Sequence, residues 1–344
     1  MQRIHLFLVV GVILALSRGA TAATLLVANK SAATVTLYDL PSGSERARIP
    51  TGDGPHEVAV SPDGQRAVIT NYGDSDEPGA SLTIVYIPTA SAQRTVELPA
   101  ASRPHGAQWL DDRHVAVTAE GIDALLLVDV DAGTVLETLP VDQAIAHMVA
   151  VTADGRRAYT ANIGSGTVTV LDLAAGSKLR DIASGDGAEG IALVNGGREL
   201  WVSNRAADTV AVFDGDSLER IATLEAPGFP IRVEADAARR RVFVTLPARD
   251  RMAVYDARSR ELLQEIAFDT PPDPTRRTLF AERLPDSSVP IGVLLSGDGA
   301  QLFVAHSAAH RVSVWDSATL RQTGTIATGI EPDGMDWSPL DVQP

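Results

Sequence analysis

Short runs of alternating apolar and polar residues recur along the chain in a fixed order. A loop turns into a strand at Pro55 and again at Pro104, Ala146, Ala188, Pro230, Pro290 and Pro332, in steps of 49, 42, 42, 42, 60 and 42 residues. Each junction leads into an apolar strand such as Val58 to Val60, then a turn such as Ser61-Pro62-Asp63-Gly64. A second strand ends on Asn, as in Leu26-Val27-Ala28-Asn29 and Trp201-Val202-Ser203-Asn204, or on a substitute, as in Phe303-Val304-Ala305-His306. A third alternates and closes on Asp, as in Val168-Thr169-Val170-Leu171-Asp172, and a more polar fourth leads back to the next junction. Period-2 strands joined by Gly, Asp, Asn and Ser turns predict one antiparallel sheet per repeat, and a 42-residue unit has the length of a propeller blade.

The two ends set the count. The repeats open at a second strand, Thr24 to Asn29, and stop after a first strand, Gly334 to Ser338. The last strand is therefore expected to complete the blade that the first begins, which leaves no open edge. The predicted fold is all-β: one seven-bladed β-propeller of four-stranded antiparallel blades over residues 23–344, with an insertion at 268–289.

The strand tetrapeptides, the Val-x-Val-x-Asp strands and the Ser-Pro-Asp-Gly turn resemble the YVTN-type β-propeller repeat proteins. The wider superfamily includes lactonase-like hydrolases, quinoprotein-like dehydrogenases and surface-layer proteins. The resemblance implies the architecture and an exported setting, and it does not select among these functions.

Residues 1–22 read differently from the repeats. Arg3, the apolar run Ile4 to Leu16 and Ala20-Thr21-Ala22 predict a secretory signal cleaved near Ala22/Ala23. The run is too short for a permanent anchor, so a periplasmic or secreted protein without membrane insertion is expected, and as a monomer. The net charge is −15, and loss of Arg3 and Arg18 with the signal makes it −17, which excludes a nucleic-acid partner. With no cysteine, the chain has no disulfide, thiolate ligand or haem c attachment. Gly185 to Gly190 matches G-x-G-x-x-G but leads into a strand, so no nucleotide is expected.

The histidines gather. His56, His105 and His147 hold the same junction position in three consecutive repeats, where the other repeats carry Glu189, Ile231, Ile291 and Asp333. Around the ring the order is Asp333, His56, His105, His147, Glu189, an arc at the channel mouth that suits one divalent ion such as Zn, Cu, Mn or Fe. Strand parity argues the other way, since His56 shares it with Val58 and Val60 and would turn between blades if the strand were straight. His306 and His310 belong to the same face, and His114 to the opposite rim. Both insertions, 73–79 and 268–289, open on the histidine face, as binding-side insertions do in repeat proteins. The longer one is expected to form a short helix from Thr275 to Leu284 and to offer Arg276, Arg277 and Arg283 to an anionic ligand. Glu57, Arg232 and His306 are further candidates for ligand contact. Arg232 and Glu234 share one inner strand and are expected to line the channel or to form a solvated ion pair.

The sequence thus predicts an exported propeller that binds a small molecule or a protein partner through this face. The alternative is a metal-dependent hydrolase or lyase of the lactonase-like kind at the same place, and a third reading is a structural cell-surface protein.

Overall fold

The computed structural model describes residues 23–343 apart from 41, 276, 277, 279, 281 and 282, and the repeats form seven four-stranded antiparallel sheets. In six blades the strands run outward from the channel in chain order. The first blade takes its innermost strand, Pro332–Ser338, from the other end of the repeats, paired with Thr24–Asn29 so that Leu25 faces Trp337 and Val27 faces Met335. The predicted seam is the observed one.

Second and third strands lie between neighbouring blades and are apolar on both faces: Leu200, Trp201 and Val202 are fully buried. Fourth strands such as Ser91–Glu97 are mostly exposed and correspondingly polar. The core is a series of interblade layers, as where Val68 and Leu82 of the second blade meet Trp109, Val117 and Leu126 of the third. The closing aspartates fold the third-to-fourth hairpins: Asp172 Oδ1 accepts from the amides of Ala174 and Ala175, and Asp256 Oδ1 from those of Arg258 and Ser259.

The inner strands are bent at their start. Pro55 pairs with Asn71 and Val58 with Ile69, so His56 and Glu57 together oppose Thr70, whose Oγ1 accepts the Glu57 amide at 2.9 Å. The same bulge sets His105 and Gly106 against Thr118, and Glu189 and Gly190 against Ser203. A bulge resets side-chain parity. It is why His56 faces the channel mouth even though straight-strand parity would turn it between blades.

Glycine at the second bulge position lets the blades crowd together there. A Cβ on Gly190 would lie 2.1 Å from the carbonyl oxygen of Ile231, and one on Gly334 would lie 2.4 Å from that of His56. The equivalent positions of the other blades carry Glu57, Met148 and Arg232, which line the channel. Arg232 does not form a solvated pair with Glu234. It is buried and reaches across to Glu57, while its Nη1 lies 2.9 Å from Met148 Sδ. These three side chains make a floor beneath the mouth.

Below that floor, polar side chains tie one blade to the next. Asp336 Oδ2 accepts the Val60 amide at 2.7 Å, Gln108 Oε1 that of Val151 at 2.8 Å, and Glu234 Oε1 that of Leu295 at 3.2 Å. Burial pushes the Glu234 carboxyl up to about 8, and that of Asp336 up to about 6. An unfolded glutamate ionises near 4.5. The folded chain therefore keeps the Glu234 proton where the unfolded chain has lost it, so stability falls as pH rises from about 4.5 to about 8, by at most about 1.4 kcal/mol per pH unit for this group. Glu234→Gln retains the carbonyl acceptor and is expected to flatten that slope in urea unfolding at pH 5, 6.5 and 8. Parallel slopes for variant and parent would show that Glu234 is not the titrating group.

Candidate metal centre at the channel mouth

Two tiers of residues form the mouth. The inner tier comes from the first bulge position: Asp333, His56, His105, His147 and Glu189 in five consecutive blades, then Ile231 and Ile291. The outer tier comes from the residue after the Asn register of each second strand (Asn29, Asn71, Ala119, Asn162, Asn204), and includes Lys30, Tyr72, Glu120, Ile163 and Arg205. Most outer residues lean on the inner residue of the next blade. Lys30 Nζ donates to His56 Nε2 at 2.7 Å, Tyr72 meets His105 edge-on with ring centroids 5.7 Å apart, and Glu120 accepts from His147 Nδ1. Arg205 pairs with Glu189 of its own blade at 2.8 Å.

The three imidazoles lie in a row, with ring centroids 3.9 Å apart for His56 and His105 and 3.6 Å for His105 and His147. A carboxylate stands against each outer ring: Asp333 Oδ2 lies 3.3 Å and Glu57 Oε1 3.6 Å from His56 Nδ1, and Glu189 Oε1 lies 3.4 Å from His147 Nε2. The ligating atoms of His56, Glu57 and His105 lie within 4.8 Å of one another, as do those of His105, Glu120 and His147. His105 belongs to both sets. It is 1% exposed, and neither of its ring nitrogens has a hydrogen-bond partner among the described residues.

The electrostatics follow from burial. Burial, reinforced by Lys30, Arg232 and His147, holds His56 well below the usual imidazole pKa, and burial with His147 and His56 does the same for His105. Both rings are neutral, the state that ligates metals. Burial also opposes charge on His147, but Glu120 and Glu189 outweigh it and raise its pKa. Glu120, held in turn by Tyr72 Oη at 2.6 Å, accepts the His147 Nδ1 proton, while Glu189 faces the Nε2 of the same ring at 3.4 Å.

The cavity over this arc measures about 290 Å³ and is divided: imidazoles and carboxylates on one side, Ile231, Ile291 and Phe280 on the other. Phe280 comes from the long insertion; half of the stretch expected to be helical, 275–284, lies outside the described residues, and within the rest the Leu284 amide donates to the Phe280 carbonyl at 2.8 Å. Arg276 and Arg277 lie outside the described residues. A second cavity of about 680 Å³ adjoins the first at Lys30 and Tyr72. Arg103 enters it with its guanidinium 5.2 Å from the Tyr72 ring centroid, and Lys30 stands 5.6 Å from that centroid.

His306 takes no part in either cavity. Its Nδ1 bonds Ser288 Oγ at 2.9 Å and its Nε2 bonds Ser313 Oγ at 2.8 Å, so it is a core histidine with both nitrogens satisfied. It does the work of Asn29 in the first blade, whose amide bridges the Gly329 amide and Thr36 Oγ1. His310 Nδ1 accepts the Glu331 amide at 3.1 Å, and His114 pairs with Asp111 on the opposite rim. Sequence reasoning missed Lys30, Tyr72 and Glu120. Their common register, one residue past the Asn position of each second strand, was the available signal.

A family model, the cytochrome D1 heme domain, matches residues 111–332, and the chain belongs to that family. No curated protein matches the chain. Among solved structures it is similar to the periplasmic gluconolactonase PpgL of Pseudomonas aeruginosa, at 17% identity over 92% of this chain and 99% of that one, with a TM-score of 0.72. It is also similar to hydrazine synthase of Kuenenia stuttgartiensis, at 16% identity over 82% and 88% with a TM-score of 0.67. A third is the dihydro-heme d1 dehydrogenase NirN in complex with DHE, at 15% identity over 91% and 74% with a TM-score of 0.65. At these identities the likeness is one of fold.

The family's name raises a tetrapyrrole, and the inner tier does not fit one. A macrocycle needs an open slot with an imidazole aimed at its centre. Here the imidazoles stack against each other, and the 290 Å³ above them is at the lower limit for even a drug-sized ligand. The donor set, three imidazoles flanked by carboxylates, suits a bare divalent ion.

Arg232 is the counter-charge for this site, since it touches Glu57 and stands 3.7 Å from Asp333. Arg232→Met is expected to cost about 3–5 kcal/mol in urea unfolding by stranding buried carboxylates. Adding Glu57→Gln should recover a large part of that loss, and strictly additive losses would show that the pair is not coupled.

Proposed function

We propose that the protein is an exported propeller of the YVTN repeat type that holds divalent transition metal between His56, His105 and His147 and binds a small molecule in the cavity above. His105 carries this reading. A fully buried imidazole without a partner at either nitrogen is costly, and natural cores leave few such groups without a bound water or ion. A metal ion would answer that cost with the neutral rings already in place.

The ion, when bound, supplies a Lewis acid that polarises a carbonyl or acidifies a water. The chain's own residues do the rest. Glu120 orients His147, while Asp333 or Glu57 and Glu189 are carboxylate donors beside the outer rings. Lys30 Nζ donates to His56 Nε2, which puts that ring's proton on Nδ1 beside Asp333 and Glu57, and Lys30 also lines the second cavity. There Lys30 and Arg103 receive an anionic group over Tyr72, while Ile231, Ile291 and Phe280 shield the apolar part of the ligand. The apolar leader and the shared fold with a periplasmic enzyme support export. The divided cavity favours a second reading in which the ligand is turned over. The fold shared with a gluconolactonase makes hydrolysis of a sugar lactone the first reaction to try: water adds to the ring carbonyl, the ring C–O bond breaks, and a hydroxy acid forms.

Elemental analysis of protein purified without chelator or affinity-tag metal tests the reading. Near-stoichiometric or higher metal is expected in the parent, and none in a folded variant with His56, His105 and His147 all changed to Ala. A parent that neither carries nor takes up metal would overturn it. With gluconate as probe, Arg103→Ala is expected to weaken binding roughly tenfold, the loss of one charge-assisted contact. Unchanged gluconate affinity would remove Arg103 from the ligand site.

A further inference from the structure

We infer that the mouth holds two metal ions joined by His105, whose two ring nitrogens serve one ion each. The inference rests on the metal reading above and extends it from one ion to a dinuclear centre.

The inner tier reads the same from both ends. Asp333, His56, His105, His147 and Glu189 place a carboxylate, an imidazole, a central imidazole, an imidazole and a carboxylate in five adjacent blades. Distances follow the same plan: Asp333 is 3.3 Å from His56 on one side, Glu189 is 3.4 Å from His147 on the other, and the ring spacings to His105 are 3.9 and 3.6 Å. A single ion would use one nitrogen of His105 and leave the other buried without a partner. Two overlapping donor sets share one residue, His105, with His56 and Glu57 in one and Glu120 and His147 in the other, and giving each set one of its ring nitrogens satisfies both. Each half thus has its own outer imidazole and its own carboxylates.

Four buried or nearly buried carboxylates, Asp333, Glu57, Glu120 and Glu189, surround the three imidazoles, so each half can offer carboxylate oxygen as well as imidazole nitrogen. In the ion-free arrangement Arg232, Lys30 and Arg205 stand beside these carboxylates as partial counter-charge. The proton balance is simple. A neutral His105 carries one ring proton, a bound divalent ion acidifies the groups that ligate it, and closing the bridge sends that proton to solvent. No oxidant or reductant is involved.

Copper(II) makes the bridge visible. Full-length mature protein, stripped with a chelator and dialysed, is titrated with Cu(II) and followed by native mass spectrometry and by electron paramagnetic resonance. Two Cu(II) per chain are expected, with a spin count well below the copper content because the shared imidazolate couples the two ions. His56→Ala and His147→Ala should each retain one copper at full spin count, and His105→Ala should abolish the coupling. One copper per chain in the parent would overturn the dinuclear centre and leave the single-ion reading standing. Two coppers at full spin count would overturn the bridge, and no copper would overturn both readings. The parent measurements decide the matter even where a variant fails to fold.

Discussion

Close approach of the inner strands at one end of the ring is the constraint on which the rest depends. Four of the inner-strand bulges carry glycine at the second position, Gly106, Gly190, Gly292 and Gly334, and at Gly190, Gly292 and Gly334 the backbone of the next blade occupies the place of a Cβ. Residues at the first bulge position are thereby drawn toward one axis. Without the bulges the same residues would alternate with Val58 and Val60 and disappear between blades. A packing device of the fold thus concentrates chemistry at the mouth and gives each blade one position to contribute.

That position is not uniform. Five consecutive blades supply polar groups and two supply isoleucine, so the mouth has a polar side and an apolar side, with Phe280 placed on the latter. The polar side is dry enough to keep His56 and His105 neutral while four carboxylates remain close, and the guanidinium of Arg232 beneath them offsets part of that charge. An arrangement of this kind is costly for a scaffold alone, since buried polar groups without partners oppose folding.

The architecture was legible because repetition multiplies weak signals. One alternating pentapeptide says little, whereas the Val-x-Val-x-Asp strand and the junction, recurring in register, fix strand order, blade number and the seam at Thr24–Asn29. The inner tier was legible for the same reason, since His56, His105 and His147 share a register. Two things were hidden. Parity gave the wrong direction for His56 because a bulge is set by the partner strand, where Thr70 takes the extra amide, and not by the run that contains it. His306 looked like a member of the histidine face because it replaces Asn, yet it keeps the bridging task of that Asn between a loop and a third strand. Conversely, the register one residue past the Asn position of the second strand looks random as Lys30, Tyr72, Glu120, Ile163 and Arg205, and acquires meaning only once the blades are set side by side.

The seam has a bearing on when the mouth can exist. Asp333 arrives on Pro332–Ser338, while its neighbour Lys30 follows Thr24–Asn29, and the two are about 300 residues apart along the chain. Partly folded chains can stack the middle blades and bring His105 beside His147 while Asp333 is still absent. The arc is whole only after the last strand has docked beside the first, so the complete five-residue arc exists only in a closed ring.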